Sequence, residues 1–286
     1  MRFVSSLISA SALVLVPLVS ARAQDAGKNL ALDFRTTVIV QGAPDTGVIT
    51  GHAVGTAEKM RLDVRMKGPG AQVSPLASDS TVTMIVTDSG KTITYLNSRK
   101  SEYLRVRPAE MIAQAQQMGG MKMDFSATQA KVDSLGAGPT ILGHPTSHYR
   151  VATGMTITIS AMGQAQTVQI ASTTDTYFAT DIKGDLNPFQ SLSGGDMMNV
   201  FGGSNKDFAD KIKAVQQKLP KGTPLRALGS ATMVTQGRTK VTSSVAEVTA
   251  LNWVARDPKV FEVPSTYTPV QMPGMGGPSS GAIPPK

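Results

Sequence analysis

The chain contains no cysteine. No disulfide can brace it, no thiol can serve as a nucleophile, no thiolate can hold zinc, and no cysteine is available for lipid attachment. Aromatic residues make up 5% of the chain, with one tryptophan, too few for the stacking surface of a nucleic-acid binder. No G-x-S-x-G elbow, Walker loop or dinucleotide fingerprint occurs. Histidines number only three. These absences remove most familiar routes to catalysis and point to a protein that is not an enzyme and needs no cofactor.

Long apolar runs are also lacking, apart from one near the start. Residues Leu7 to Val19 are apolar, preceded by the single early cation Arg2 and followed by Ala21-Arg22-Ala23. This is the pattern of a secretory signal peptide, with cleavage expected between Ala23 and Gln24. Pro17 interrupts the run, which is shorter than the roughly 20 apolar residues of a spanning helix. Removing residues 1–23 takes away Arg2 and Arg22 and no acid, so the formal charge falls from +8 to about +6, suited to anionic lipid or polymer or simply to solubility. The expected location is the periplasm or the exterior, with no integral membrane segment after cleavage.

What the chain has in abundance is alternation of period two. Met60, Leu62, Val64 and Met66 alternate with charged residues from Lys59 to Lys67. A half-buried antiparallel strand needs this pattern, whereas a helix would scatter the four around its circumference. Similar runs span Leu32–Val40, Val48–Val54, Thr81–Thr87, Lys91–Leu96, Tyr103–Arg107, Tyr149–Ser160, Thr167–Tyr177, Ala231–Thr235 and Lys240–Leu251. Asp88-Ser89-Gly90 and Gln236-Gly237-Arg238 read as hairpin turns. The total is roughly ten strands in a meander.

Helices are few. One is expected from Pro108 to Gly119, with Met111, Ala115 and Met118 on one face. A second starts at Ser204, carries Phe208, Ile212, Val215 and Leu219, and ends at Pro220. Asn187–Val200 is a third candidate. Packing their stripes on the sheet gives a mainly β, α+β fold: a strongly curved antiparallel sheet with two or three helices on one face. Residues 24–268 form one domain, and 269–286, rich in proline and glycine, form a disordered tail.

Two constellations could carry metal chemistry. His144 and His148 stand in an H-x-x-x-H spacing, but Gly143 and Pro145 exclude a helix. In extended chain the rings would be roughly 13 Å apart, too far for one ion. With no acid close in sequence to orient them, the stretch reads as a turn entering a strand, and no metal site is assigned. His52, inside an alternating strand, reads as a surface histidine. Met118, Met121 and Met123, with Met272 and Met275 in the tail, offer soft thioethers of the kind that select Cu(I). The same methionines also suit an adaptable apolar surface.

Ile85 to Asn97 resembles the D-G-K-x-x-Y hairpin of exported LolA/LolB/LppX-like lipoprotein carriers. Ile141-Leu142-Gly143-His144 with His148-Tyr149-Arg150-Val151, and the ending Phe261-Glu262-Val263-Pro264-Ser265-Thr266-Tyr267, resemble segments of related bacterial secreted proteins. The resemblance implies a half-barrel whose helices plug the concave face, and a concavity that holds acyl chains. The chain departs from the carriers in lacking a lipidated cysteine and in its Gly/Met-rich inserts. On this reading Met60, Leu62, Val64, Met84, Val86, Ile93 and Tyr95 face the concavity, opposite Met111, Met118, Phe208 and Ile212. Arg61, Asp63, Arg65, Thr83, Thr87, Thr92 and Thr94 then face solvent. A lipid or other apolar small molecule is the expected partner. The alternatives are an envelope assembly factor acting through a protein partner of unknown identity, and a Cu(I) protein.

The first expected outcome concerns export. The mature chain begins at Gln24, and intact-mass measurement of the exported protein checks it: a mass that retains residues 1–23 would overturn the assignment.

Overall fold

The computed structural model describes residues 27–42, 46–67, 81–110, 121–161, 164–183, 187 and 206–271. The expected signal peptide and most of the expected tail lie outside the described residues. The same holds for Met111, Met118, Met272, Met275 and, apart from Asn187, the third helix candidate.

The alternating segments become β1 (Lys28–Val40), β2 (Gly47–Gly55), β3 (Met60–Lys67), β4 (Thr81–Thr87), β5 (Thr92–Asn97) and β6 (Glu102–Val106), then β7 (Met121–Ala137), β8 (Thr146–Ala161), β9 (Gln164–Lys183), β10 (Gly222–Thr235), β11 (Arg238–Ala255) and β12 (Thr268–Pro269). They form one open sheet of twelve strands in the order β12-β6-β5-β4-β3-β2-β1-β11-β10-β9-β8-β7. Two meanders, β1–β6 and β7–β11, are thus joined through the β1–β11 pair, which sits mid-sheet.

Twelve strands replace the expected ten because β7 and β12 carry no continuous period-two signal. In β7, Ala127 has φ 49° and the register with β8 shifts between Ser126 and Gln129. Phe125 pairs with Ile157 before the shift, and Ala130 and Val132 pair with Thr153 and Val151 after it. The positions belonging to one face therefore pass from odd to even numbers, and the alternation changes phase within the strand. β12 is two residues long and pairs with β6 in parallel, unlike every other strand pair described. It is held by Thr268 N–H to Ser101 O and Val270 N–H to Tyr103 O, both at 2.8 Å. Pro269, lacking an N–H, is tolerated on such an edge.

Helical content is lower than expected among the described residues. Residues 108–110 are helical, α1 spans Lys206–Lys218, and 3₁₀ turns occupy Asp88–Gly90 and Pro258–Phe261. α1 packs against β7, at one edge of the sheet, rather than over β3–β5. Lys211 there donates to the Thr128 carbonyl at 2.8 Å.

Register divides the sheet into two faces, because residues directly opposite across a ladder share a face. One face carries Leu30, Leu32, Phe34, Ala53, Met60, Leu62, Val86 and Ile93. Two clusters of buried residues form on β1–β4 and their neighbours, one around Leu30, Leu32 and Leu225, the other around Ala53, Met60, Leu62 and Val86. The opposite face carries Asp33, Arg35, His52, Arg61, Asp63 and Arg65.

Gly51 marks a close approach within the second cluster. It lies opposite Phe34 and Val64, and a Cβ built on it would stand 2.5 Å from Phe34 Cζ and 2.9 Å from the Asp63 carbonyl. The Phe34 ring covers the glycine and packs on the cluster. Gly51→Ala is expected to destabilise the fold by about 1–3 kcal/mol through overpacking. Urea unfolding measures it, and the loss should shrink when Phe34→Leu is already present, since the two sites share one contact.

Candidate functional site

The residues expected to line an apolar cavity do gather. Met60 pairs with Val86, Leu62 with Met84, Val86 with Ile93 and Met84 with Tyr95, which places all of them on one face with Val64. Met60 and Val86 are 0% exposed, Leu62 5% and Ile93 6%; Val64, Met84 and Tyr95 are half-buried. Burial raises the Tyr95 phenol above its usual pKa. The side chains of Phe208 and Ile212 on α1 lie outside the described set.

The same face continues where no site residue was expected. Val132 pairs with Val151, Met155 with Ile170 and Ile157 with Val168, and Met233 with Ile170. Tracing register through β1, β11, β10 and β9 puts these on the side of Phe34 and Val248. All but Met233 are half-buried, and Met233 is 42% exposed. The alternation Met155-Thr-Ile157-Thr was visible in the sequence, but only the strand, and not its face, could be read from it.

The opposite face is an ionic lattice. Arg150 grips Asp175 with both nitrogens, Nε to Oδ1 at 2.7 Å and Nη2 to Oδ2 at 2.9 Å. Arg61 Nε donates to Asp63 at 3.0 Å, and Thr83 donates to the same carboxylate at 2.6 Å. Lys131 pairs with Asp133 at 3.0 Å. Arg226 lies 3.1 Å from Glu247, an ion pair whose Nε–H is not aimed as a hydrogen bond.

Each histidine meets an aspartate, which corrects the expectation that no acid orients them. His52 Nδ1 lies 2.6 Å from Asp33 and His144 Nδ1 lies 2.8 Å from Asp181. His148 Nε2 is 3.5 Å from Asp175, and its ring stacks on Tyr177 with centroids 4.4 Å apart. Both histidines of the H-x-x-x-H stretch follow a tight turn, His144 closing it and His148 lying in β8. Ile141 and His144 exchange backbone hydrogen bonds of 3.0 and 2.9 Å around Leu142 (φ 51°) and Gly143 (φ 83°), the two-residue hairpin in which glycine is favoured. β8 begins at Thr146. Among the described residues, no group of three or more His, Asp or Glu is placed to hold a metal ion.

One expected solvent position is not solvated. Thr94 is 4% exposed, and Ile85, opposite it on the polar face, is 2% exposed. The C-terminal turn Pro258–Phe261 packs against β3 and β4, with Phe261 buried and Lys59 over its ring.

Two open grooves lie on the polar face. One, about 460 Å³, runs between Asp33, His52 and Asp63 on one side and Arg35, Thr50, Arg65 and Thr81 on the other, with Phe34, Gly51 and Val64 also in its lining. A second, about 490 Å³, crosses β7–β10 over small residues, among them Ala152, Gly154, Ala171, Thr173 and Ser230.

No family model matches the chain, and no curated protein matches it. Among solved structures, it is similar to a domain from Vibrio parahaemolyticus named for outer membrane lipoprotein sorting. The match has 7% identity over 84% of this chain and 92% of the other, at a TM-score of 0.28. A likeness that slight carries no argument about this protein. No described helix is long and apolar enough to cross a membrane.

The Arg150 hydrogen bonds hold the Asp175 carboxyl below the usual carboxylate range, against the opposing effect of partial burial. The same bond pushes Arg150 further up. A carboxyl whose folded pKa is depressed adds stability that is present above its unfolded value near 3.9 and disappears as pH falls through the lower folded value. Asp175→Asn is therefore expected to be less stable than the parent at neutral pH. In urea unfolding across a pH series, the gap should narrow only below about pH 4; a constant gap would show that Asp175 acts by packing alone.

Proposed function

We propose that the protein is an exported, non-catalytic binder of a lipid or other apolar ligand, acting in the periplasm or outside the cell. The observation that carries the reading is the continuity of one apolar face through β8–β10. There Val151, Met155, Ile157, Val168 and Ile170 are only half-buried and Met233 is largely exposed. An apolar strip of this kind, continuous with a closed core, gives an acyl chain a surface to lie on. Methionines at two of the positions can adjust to ligands of different shape. The N-terminal leader pattern and the carrier-like motifs support the same reading. In its finer form the sheet curves into a half-barrel with the apolar face inside and helices over it.

A second reading has its own observation. Met60, Leu62, Val86 and Ile93 are as thoroughly buried as any packed core, so this half of the face serves stability, and an assembly factor could need nothing more. Mass spectrometry of organic extracts of the native protein separates the two. A co-purifying lipid is expected on the binder reading; a clean extract favours the assembly factor.

Met155→Arg and Ile170→Arg, facing each other across β8 and β9, should each weaken binding of a fluorescent fatty acid by about tenfold or more, as a charge placed on a desolvated apolar contact does. Circular dichroism should retain the sheet signal. Unchanged affinity in folded variants would place the ligand elsewhere or remove it altogether.

A further inference from the structure

The groove of β1–β3 carries two arginines without an ion-pair partner among the described residues, and we propose that it binds a phosphate-bearing ligand through Arg35 and Arg65. Register puts Arg35, Thr50 and Arg65 in one row across three adjacent strands, all on the same face. The two arginine backbones are then about 10 Å apart, two strand spacings, with the threonine hydroxyl between. Thr81 continues the row beyond Arg65. All four side chains are exposed and line one groove.

The charges around them are already committed. Asp33 is taken by His52 at 2.6 Å. Asp63 is taken by Arg61 at 3.0 Å and by Thr83 at 2.6 Å. Glu247, directly opposite Arg35 on β11, is drawn away to Arg226 at 3.1 Å. Among the described residues, Arg35 and Arg65 have no ion-pair partner, although other arginines of this face do. Two unpaired guanidinia flanking a hydroxyl, in a groove whose acids are each engaged by another side chain, match the planar bidentate demand of a phosphate group. With Nδ1 engaged by Asp33, His52 leaves its other ring nitrogen as a further polar contact on the same groove wall. The site lies on the opposite face from the apolar strip, so it stands or falls independently of the ligand proposed there.

The phosphate could belong to a soluble molecule or to a lipid headgroup, and the test separates these sources. Inorganic phosphate and glycerol phosphate are titrated into the full chain at low ionic strength and followed by ³¹P NMR. Flotation with phosphatidylglycerol and with neutral phosphatidylcholine vesicles runs in parallel. Saturable binding is expected, with the affinity reduced about tenfold or more in Arg35→Gln and in Arg65→Gln, the loss of a charge-assisted bidentate contact. Lys131→Gln, a charge on the same face outside the groove, should leave it unchanged. Arg65→Lys, which keeps the charge but not the fork, should weaken it by an intermediate factor. Loss of soluble phosphate binding alone identifies a soluble ligand; joint loss of phosphatidylglycerol flotation identifies a headgroup. Absence of saturable binding, or equal weakening by Lys131→Gln, would overturn the proposal by showing only diffuse attraction to a basic protein.

Discussion

In a single sheet, each side chain shares its face with the residue directly across every neighbouring ladder, and a slip of one residue would exchange the two faces entirely. Everything else in this protein rests on keeping that phase across twelve strands. From Ile93 on β5 through Val86, Met60 and Gly55 to Leu30 and Trp253, one row stays apolar or small. Where the phase would be lost, the chain corrects it. The irregularity between Asp33 and Phe34 in the β1–β11 pair brings Leu251 opposite Leu32 and Val248 opposite Phe34, both toward the core clusters. The shift in β7 keeps Val132 on this face, opposite Val151. These bulges let long strands of differing sequence period share one core.

The polar face obeys the same rule with charges in place of methyl groups. Asp175 on β9 meets Arg150 on β8, and Glu247 on β11 meets Arg226 on β10, each pair directly opposed in register. Exposed pairs of this kind contribute little individually, on the order of 1 kcal/mol or less. Their larger effect is on specificity, because a register slip would set unlike charges against apolar side chains and break the lattice at several points together. This is also why the histidine partners stayed hidden in the sequence. Asp181 and Asp175 lie 37 and 27 positions from His144 and His148, and only the β8–β9 pairing brings them together.

What could be read in advance follows from how local each signal is. β3 announced itself within nine residues, because charged and apolar side chains alternate there without interruption. The hairpin at Gln236-Gly237 was equally local, showing the positive φ such loops require, whereas the turn expected over Gly143–Pro145 closes one residue earlier, at Leu142-Gly143. β7 was not legible, since its pattern changes phase inside the strand. β12 was not legible either, since two residues carry no period and the parallel pairing depends on where the chain returns in space. The position of α1 illustrates the same limit. Its end followed from Pro220, but its docking on β7 rather than β3–β5 depends on sheet order, which sets β7 at the edge farthest from β12. The residues expected to line a cavity could be assigned to a common face from alternation alone, whereas their depth of burial could not.

That depth divides the apolar face into two regimes. Over β1–β5 a core of Leu30, Leu32, Ala53, Met60, Leu62, Val86 and Ile93 is close to fully buried, with Phe34, Val64, Met84 and Tyr95 half-buried around it, and the space at Gly51 is already filled by Phe34. Inserting a ligand there would require displacing packed side chains, which costs as much as overpacking does. Over β8–β10 the residues are half-buried, and the neighbouring positions are small or hydroxylated: Thr153, Ser172, Ala231. A ligand laid along that part would gain roughly 25 cal/mol for each Å² of apolar surface removed from water, without disturbing the core that holds the sheet together. The hydroxyls beside the strip would keep it soluble when empty. Stability and binding can therefore occupy different lengths of one continuous face, joined by β1 and β11, so that neither has to be weakened for the other.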